Sequence, residues 1–409
     1  MPKDRTVSEK KSHRRSPLLV AAGIPRINRS GDAQGGRLLL EWTSRAKTCA
    51  DTTRRDEVST VQNETATAEV VGAESRLTAV PRIDVANTTV RISRVGLGTW
   101  AIGGWMWGGA NDDTSIATIH CALEKGITLI DTAPAYGQGH SEEVVGRAVA
   151  GKRASAVIAT KVGLAWDERG NVHRDASKAR INKEIEDSLR RLQTDYIDIY
   201  QVHWPDPATP IEETAEAMSA LFDAGKIRAV GVSNFSPAQM DRFRAVAPLH
   251  TVQPPYNLFE RAAERDVLPY AARHALTSLT YGALCRGLLS GRMTENTAFT
   301  GDDLRRTDPK FQQPRYGRYL RAVQRLDELA RRRFGKRVID LAIRWTLDRP
   351  GVGAILWGAR RPDHLDALDD AFGFELDPQT FAEVDRILAE EIPDPVGPEF
   401  MAPPESAGA

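Results

Sequence analysis

The feature that most constrains this chain is a series of short apolar runs, each stopping on a residue able to do chemistry. Leu129-Ile130 ends in Asp131 and then turns through Thr132-Ala133-Pro134-Ala135 to Tyr136 and Gly137. Ala156-Val157-Ile158-Ala159-Thr160 ends in Lys161, and Ile197-Asp198-Ile199-Tyr200-Gln201-Val202 ends in His203, with Trp204-Pro205-Asp206 directly behind. A buried strand finishes on aspartate when that charge is paired, because an unpaired buried carboxylate costs several kcal/mol or neutralises itself. The cation is expected at the end of the next run, at Lys161. Apolar strands with reactive C-terminal ends, separated by helix-like segments, are the pattern of an α/β fold, the (β/α)8 TIM barrel, whose active site lies on the face where the strands end. The candidate catalytic set is Asp131, Tyr136, Lys161 and His203.

The rest of the chain supplies the missing units. Val85 to Ser93 predicts a small hairpin closing the barrel bottom. A first strand, Val95 to Gly98, precedes a helix from Ser115 to Lys125 that Gly126 stops. Thr128 to Asp131 precedes a helix running to Val149, with Ser141 as N-cap and Glu142 and Glu143 in the first turn. The strand ending at Lys161 is followed by a helix over Ser177 to Leu192, and the strand ending at His203 by one over Pro210 to Ala224, with Gly225 as C-cap. Ile227 to Ser233 leads to a helix starting at Ser236. His250 to Gln253 and Leu276 to Tyr281 are the sixth and seventh strands. A polar excursion, Ser290 to Arg318, separates them from helices at Tyr319 to Phe334 and Val338 to Leu347. Gly353 to Trp357 is the eighth strand, and Pro362 opens the last helix. A doubly wound sheet does not need eight strands, whereas a closed barrel does.

Composition excludes several classes. With 55 basic and 55 acidic residues among 409, the chain has no general basic surface for nucleic acid. Cys49, Cys121 and Cys285 are widely spaced and odd in number, so neither a disulfide framework nor a zinc site is implied, no metal is expected, and a reducing cytoplasm fits. No run approaches the roughly 18 apolar residues that span a membrane. The basic N-terminus is followed only by Leu18 to Ile24, interrupted at Gly23, which does not make a secretory signal. Residues 1–79 differ in kind from the remainder of the chain. Up to Arg55 there are 13 Lys or Arg against 5 Asp or Glu, and from Asp56 to Val80 one against 5. Such a charge-segregated, weakly apolar stretch reads as a low-order extension before a barrel over 80–395 and a tail over 396–409. An organelle-targeting or partner-binding role is the alternative, weakened by the acidic residues.

Gly96-Leu97-Gly98-Thr99-Trp100-Ala101 fits the spacing of a dinucleotide fingerprint, but that motif needs a helix at once and an acidic residue about twenty positions on. Ile102-Gly103-Gly104-Trp105-Met106-Trp107-Gly108-Gly109 does not open a helix, and Ala117 to Ala122 contains no acid. The glycines of this run are instead expected to let backbone approach a ligand at the mouth of the first strand.

Several motifs, in order, resemble the landmarks of one family, the aldo-keto reductases. They are Gly96-Leu97-Gly98-Thr99-Trp100, Asp131 to Gly137 with Glu142 behind it, Thr160-Lys161, Gln201-Val202-His203, Gly231-Val232-Ser233-Asn234-Phe235, Gln253-Pro254-Pro255-Tyr256-Asn257 and Tyr281-Gly282-Ala283-Leu284. The resemblance covers residues 80 to 395. It implies reversible reduction of an aldehyde or ketone by hydride from NADPH, with NADH the lesser choice, acting on a small-molecule carbonyl or sugar substrate. Hydride addition creates an alkoxide, so a proton donor must stand beside that oxygen. Tyr136 takes this role as general acid, with Lys161 lowering its pKa from about 10, Asp131 anchoring Lys161, and His203 orienting the carbonyl. For the cofactor, the resemblance points to Gly98, Thr99, Trp100 and Asp131 near the mouth. Ser233, Asn234 and Gln253 would bind the nicotinamide amide, Tyr281 would stack on the ring, and Gly282, Leu284 and Arg286 to Gly291 would lie along the diphosphate. Gly358, Arg360, Arg361 and His364 precede or open a helix and would take the adenosine phosphate. Members with strong NADPH preference often carry Lys-Ser at the Gly358-Ala359 positions and Arg at that of His364, so the chain departs from the pattern there. Trp100, Trp105, Trp107 and Trp204 promise an aromatic substrate pocket. Two other readings share these residues: a regulatory module resembling channel β subunits, and an NAD-dependent sugar or polyol dehydrogenase. A homo-oligomer is compatible with the sequence.

Overall fold

The computed structural model describes residues 80–405 of the 409. The extension expected over 1–79, with Cys49, lies outside the described residues. A short antiparallel hairpin, β1 (Arg82–Asp84) and β2 (Arg91–Ser93), leads into β3 (Val95–Gly98) and helix α1 (Asp112–Glu124). Then follow β4 (Leu129–Asp131), α2 (His140–Val149), β5 (Val157–Val162), a second hairpin β6 (Leu164–Trp166) and β7 (Val172–Arg174), α3 (Lys178–Leu192), β8 (Ile199–Val202) and α4 (Ile211–Asp223). The chain continues through β9 (Val230–Ser233), α5 (Pro237–Arg244), β10 (Thr251–Gln253), α6 (Val267–Arg273), β11 (Thr277–Thr280), α7 (Arg315–Phe334), α8 (Val338–Leu347), β12 (Ala354–Gly358) and α9 (Pro378–Glu391). Strands β3, β4, β5, β8, β9, β10, β11 and β12 pair in parallel and close on themselves through β12 and β3. This is the (β/α)8 TIM barrel that the sequence predicts.

Alternation along the strands divides the core in two. Ile130, Ile158, Val162, Tyr200, Val202, Val230, Val232 and Ile355 face outward into the layer shared with the helices. Leu129, Ala159, Ile199, Ala229, Leu279, Ala354 and Leu356 face inward and are capped from below by Val85, Val90 and Ile92 of the first hairpin, the expected bottom closure. Because side chains alternate strictly along a strand, the last inward-facing positions are Gly98, Asp131, Lys161, His203, Ser233, Gln253, Tyr281 and Gly358. Every one lies at the C-terminal rim, and every one is a candidate site residue.

Several boundaries differ from the sequence expectation, each for a local reason. Helix α1 starts three residues early because Asn111 caps it, its side chain accepting from Thr114 N at 2.9 Å. Ser141 does not cap α2. Gly139, at φ +99°, turns the chain into the helix, and the Ser141 hydroxyl bonds with those of Thr99 at 2.8 Å and Thr132 at 2.9 Å. The run opened by Pro362 is a 3-10 helix ending near Asp370, and the last α-helix is α9, capped by Asp377. Gly96 has a packing role. A Cβ there would lie 2.8–2.9 Å from Leu129 and Leu356 side chains, so the glycine makes room for barrel packing.

Candidate functional site

At the rim, Lys161 Nζ donates to Asp131 Oδ1 at 2.5 Å, to the Thr132 carbonyl at 2.9 Å and to the Tyr136 hydroxyl at 3.2 Å. Asp131 Oδ2 accepts from Gln253 Nε2 at 2.9 Å. Lys161 and Asp131 are buried, whereas Tyr136 and His203 reach a cavity of about 820 Å³. The loop bearing Tyr136 is fixed by contact: a Cβ at Gly103 would stand 2.6 Å from the Tyr136 carbonyl, and Gly137 turns at φ +69° directly against Gly103. The Tyr136 ring stacks on Trp100, with centroids 5.9 Å apart, and meets His203 edge-on at 5.7 Å. All four tetrad candidates therefore converge.

The electrostatics correct one expectation. Lys161 does not draw the Tyr136 phenol below its usual range; burial, and then the Asp131 carboxylate, push it well above. The reason is geometric, since the ammonium engages Asp131 first, at 2.5 Å, and the phenolate would be desolvated. Burial also lowers the Lys161 pKa, against the pull of Asp131. Burial, followed by Lys161, pushes His203 well below the normal imidazole value, so the ring is neutral at pH 7.

A second cavity of about 620 Å³ shares Trp100, Tyr281 and Met401 with the first, and Gly98, Gly282, Leu284, Gly358, Arg360, Arg361 and His364 line it. A Cβ on Gly358 would meet nothing of the protein within 4 Å, so a side chain there would project into the cleft. Cys285, Arg286 and Gly287 take successive left-handed conformations, φ 45°, 53° and 95°, a shape that turns neighbouring amides to one side and suits an anion. These features fit an elongated dinucleotide. Ser233, Asn234 and Tyr281 are tied together: Asn234 Nδ2 donates to the His203 carbonyl at 3.0 Å and Ser233 Oγ at 3.1 Å, and Tyr281 OH donates to Asn234 Oδ1 at 3.0 Å.

Five cofactor candidates also make contacts within the protein. Thr99 is fully buried, its hydroxyl donating to the Asp131 carbonyl at 2.9 Å, and it supports the rim from behind. The Asp131 carboxylate is likewise enclosed by Lys161 and Gln253. Arg286 borders the cleft, but its guanidinium is held by Glu260 and, at 2.6 Å, by Asp308, so that charge serves an internal pair. Arg361 lines the cleft while making two bonds, at 2.9 and 3.0 Å, to Asp363. Arg360 donates to the Trp107 carbonyl at 2.8 Å and that of Gly109 at 3.1 Å. Trp105 and Trp204 line the larger cavity, and Trp107 lines the smaller.

Two walls of the larger cavity are absent from the sequence expectation. One is the β6–β7 hairpin, contributing Leu164, Val172 and His173; its turn, Asp167-Glu168-Arg169-Gly170-Asn171, carries the Gly-containing hairpin signal that could have revealed it. The other is Phe400 to Pro404 of the expected tail, for which no sequence signal exists. Among the described residues no helix is long and apolar enough to cross a membrane, and no cluster of metal-ligating side chains occurs.

A closed parallel barrel with an Asp-Tyr-Lys-His rim and a glycine-lined cleft is the arrangement that the sequence resemblance implies. Residues 94–389 match the aldo/keto reductase family, to which the chain belongs. It is 62% identical over 322 residues to the aldo-keto reductase YhdN of Bacillus subtilis, covering 78% of this chain and 97% of that one. The glycerol dehydrogenase AKR11B4 of Gluconobacter oxydans has a similar solved structure, with 55% identity, a TM-score of 0.72, and coverage of 79% of this chain and 100% of that one. The NADH-specific methylglyoxal reductase of Escherichia coli is 33% identical over 299 residues, covering 69% and 91%. The chain is an NAD(P)H-dependent oxidoreductase acting on carbonyl or CH-OH groups.

Proposed function

We propose that the protein reduces aldehydes or ketones to alcohols with NADPH, Tyr136 acting as general acid. The observation that carries this reading is the Tyr136 hydroxyl, at the edge of the larger cavity, 3.2 Å from Lys161 Nζ and kept protonated by burial and Asp131. A protonated phenol beside the cavity can donate the proton that reduction requires, and its phenolate takes one back in the reverse oxidation. Tyr281, Asn234 and Gln253 would hold the nicotinamide, which would supply the hydride. The neutral His203 imidazole orients the carbonyl oxygen. Once Tyr136 gives up its proton, Lys161 stabilises the phenolate that remains, while Asp131 fixes the ammonium. At 3.2 Å and an effective dielectric near 20, the attraction between ammonium and phenolate is about 5 kcal/mol before desolvation is subtracted.

Arg292, Arg360 and Arg361 around the adenosine end of the cleft support NADPH. NADH is the second reading, favoured by Asp363, which already engages Arg361, and by the NADH-specific Escherichia coli relative. The reductase unit is inferred to comprise residues 80–405, since Phe400 to Pro404 wall the cavity. A cytoplasmic setting accords with three widely spaced cysteines that make no disulfide framework. The test is loss of reduced-nicotinamide absorbance with NADPH and NADH against a panel of aldehydes, for the wild type and Tyr136→Phe. The variant is expected to lose about 10²–10⁴-fold in kcat while still binding NADPH. Equal turnover in the variant would remove Tyr136 as the acid.

A further inference from the structure

We propose that the buried charge quartet of Glu260, Arg286, Asp308 and Lys310 sets the shape of the turn that receives the cofactor's diphosphate. Arg286 is then a positioning residue for the dinucleotide and not a ligand of its phosphates. The proposal rests on the reading of the smaller cavity as the NADPH cleft.

The turn needs something to hold it. Cys285 and Arg286 stand at φ 45° and 53°, ahead of Gly287 at 95°, in a region that residues with a Cβ seldom occupy. Such a conformation persists only where its surroundings over-determine it. Backbone bonds supply part of the constraint, from Cys285 N to the Gly282 carbonyl at 2.7 Å and from Gly287 N to the Leu284 carbonyl at 2.9 Å. The Arg286 side chain supplies the rest. Its enclosed guanidinium donates through Nε to Asp308 Oδ2 at 2.6 Å and through its terminal nitrogens to Glu260.

Glu260 also reaches the start of the turn. Its Oε2 accepts from Asn257 Nδ2 at 2.7 Å, and the same nitrogen donates to the Gly282 carbonyl at 2.9 Å. One carboxylate therefore grips both the entry and the middle of the turn. Lys310 balances the charge: fully buried, its ammonium lies 2.9 Å from Glu260 and 3.5 Å from Asp308, with a further bond to the Gly397 carbonyl at 3.0 Å. Burial opposes the Glu260 charge, but Arg286 and Lys310 hold its carboxyl below the ordinary value. To meet a phosphate, Arg286 would have to leave two buried carboxylates, which is costly. The diphosphate is left to the amides of the turn.

Neutral isosteres of the carboxylates separate the two roles by sign. Asp308→Asn and Glu260→Gln each loosen Arg286. If the guanidinium were a phosphate ligand, removing a competing carboxylate would tighten the dinucleotide. As a positioning residue it loses its hold, the turn relaxes, and affinity falls.

The experiment titrates the full-length wild type, Asp308→Asn, Glu260→Gln and Arg286→Lys with NADPH, NADH, ADP-ribose and 2′-AMP. Binding is read by quenching of tryptophan emission, since Trp100 and Trp107 line the cleft, or by competition against NADPH, with thermal melting in parallel. ADP-ribose carries the diphosphate, and 2′-AMP lacks it. Each variant is expected to weaken NADPH, NADH and ADP-ribose by a common factor of about ten, as loss of one charged hydrogen bond allows. Affinity for 2′-AMP should stay within about twofold on the same scale. Arg286→Lys belongs with the others because it keeps the charge but loses the fork that spans two carboxylates.

Tighter binding in either carboxylate variant, or wild-type affinity in Arg286→Lys, would make Arg286 a direct ligand and overturn the proposal. A loss shared by 2′-AMP, or unchanged affinity with a lowered melting temperature, would leave the quartet a matter of stability and overturn it as well. If one carboxylate variant does not fold, the other two variants decide. A wild type that binds neither dinucleotide would sink the cleft reading and the quartet together, whereas one that binds both, with variants that do not discriminate, sinks the quartet alone.

Discussion

Two neighbouring residues of β5 each serve a buried carboxylate on opposite faces of the barrel wall, and the contrast separates chemistry from scaffolding. Outward, Thr160 donates to Glu142 at 2.6 Å, and Glu142 in turn accepts from Arg191 Nε at 2.6 Å. Inward, Lys161 donates to Asp131 at 2.5 Å. Both carboxylates are enclosed and both are paired with a cation. The outer group is sealed between strand and helix, and burial raises the Glu142 pKa despite Arg191. The inner group opens through the Tyr136 hydroxyl onto a cavity. A buried ion pair is thus weak evidence for function; a buried ion pair with one titratable neighbour facing solvent-sized space is strong evidence.

The sharpest way to break this contrast is to remove one partner on each face. Lys161→Met should lower kcat by about 10²–10⁴-fold, because the Tyr136 phenolate loses the ammonium beside it and Asp131 its ion pair. Glu142→Gln should keep kcat within about threefold, yet cost about 1–3 kcal/mol of stability, since Arg191 loses one of its two buried carboxylates and keeps Glu184. Steady-state kinetics alongside denaturant titration reads both. If Glu142→Gln lost turnover as steeply as Lys161→Met, the two faces would not be doing separate jobs.

The next effect concerns protons. The Tyr136 pKa lies well above 10 and that of His203 well below 6.5, so between those limits Tyr136 is protonated and His203 neutral. Reduction uses that state and should be level with pH across roughly 6.5–10, the unperturbed values for the two groups. Oxidation of the product alcohol needs the phenolate, whose fraction rises about tenfold per pH unit below the pKa, so the oxidative rate should climb toward alkaline pH with no plateau by pH 9. An oxidative plateau near neutrality would mean that Lys161 governs Tyr136 after all. The outer carboxylate gives a control, because Glu142→Gln should leave both profiles unmoved.

The sequence disclosed the inner face more fully than the walls around it. Strict alternation places Asp131, Lys161, His203, Ser233, Gln253 and Tyr281 on one rim once the strands are known, and the strands announce themselves by apolar runs. That Thr99 supports the rim rather than lining the cleft depends on the Ser141 hydroxyl, which reads as a helix cap until Gly139 takes the turn. Arg286 reads as a phosphate ligand because its partners, Glu260 and Asp308, lie 26 and 22 residues away. The wall formed by Phe400 to Pro404 was illegible for the same reason: the segment has no periodicity, and Lys310 and Arg174 reach its surroundings from distant parts of the chain.

The smallest expected effect lies at the far end of the cofactor cleft, where exposure replaces burial. Asp363 makes two bonds to Arg361 and stands 3.8 Å from Arg292. Arg361 holds the Asp363 carboxyl below its usual value, so it is charged at pH 7. A 2′-phosphate arriving at these arginines must therefore compete with a carboxylate already there, whereas NADH brings no such group. Asp363→Asn removes the competitor and leaves the arginines, so the ratio of kcat/KM for NADPH over NADH should rise. Both Arg361 and Asp363 are about half exposed, and exposed pairs are worth up to about 1 kcal/mol, which sets the rise at no more than about fivefold. The gain should shrink with added salt, because screening weakens surface charge and hardly touches the enclosed Lys161 pair. A ratio that fell in Asp363→Asn would mean that the carboxylate's work is to aim Arg361 at the phosphate, and that this outer pair, like the Asp131–Lys161 pair, acts through geometry.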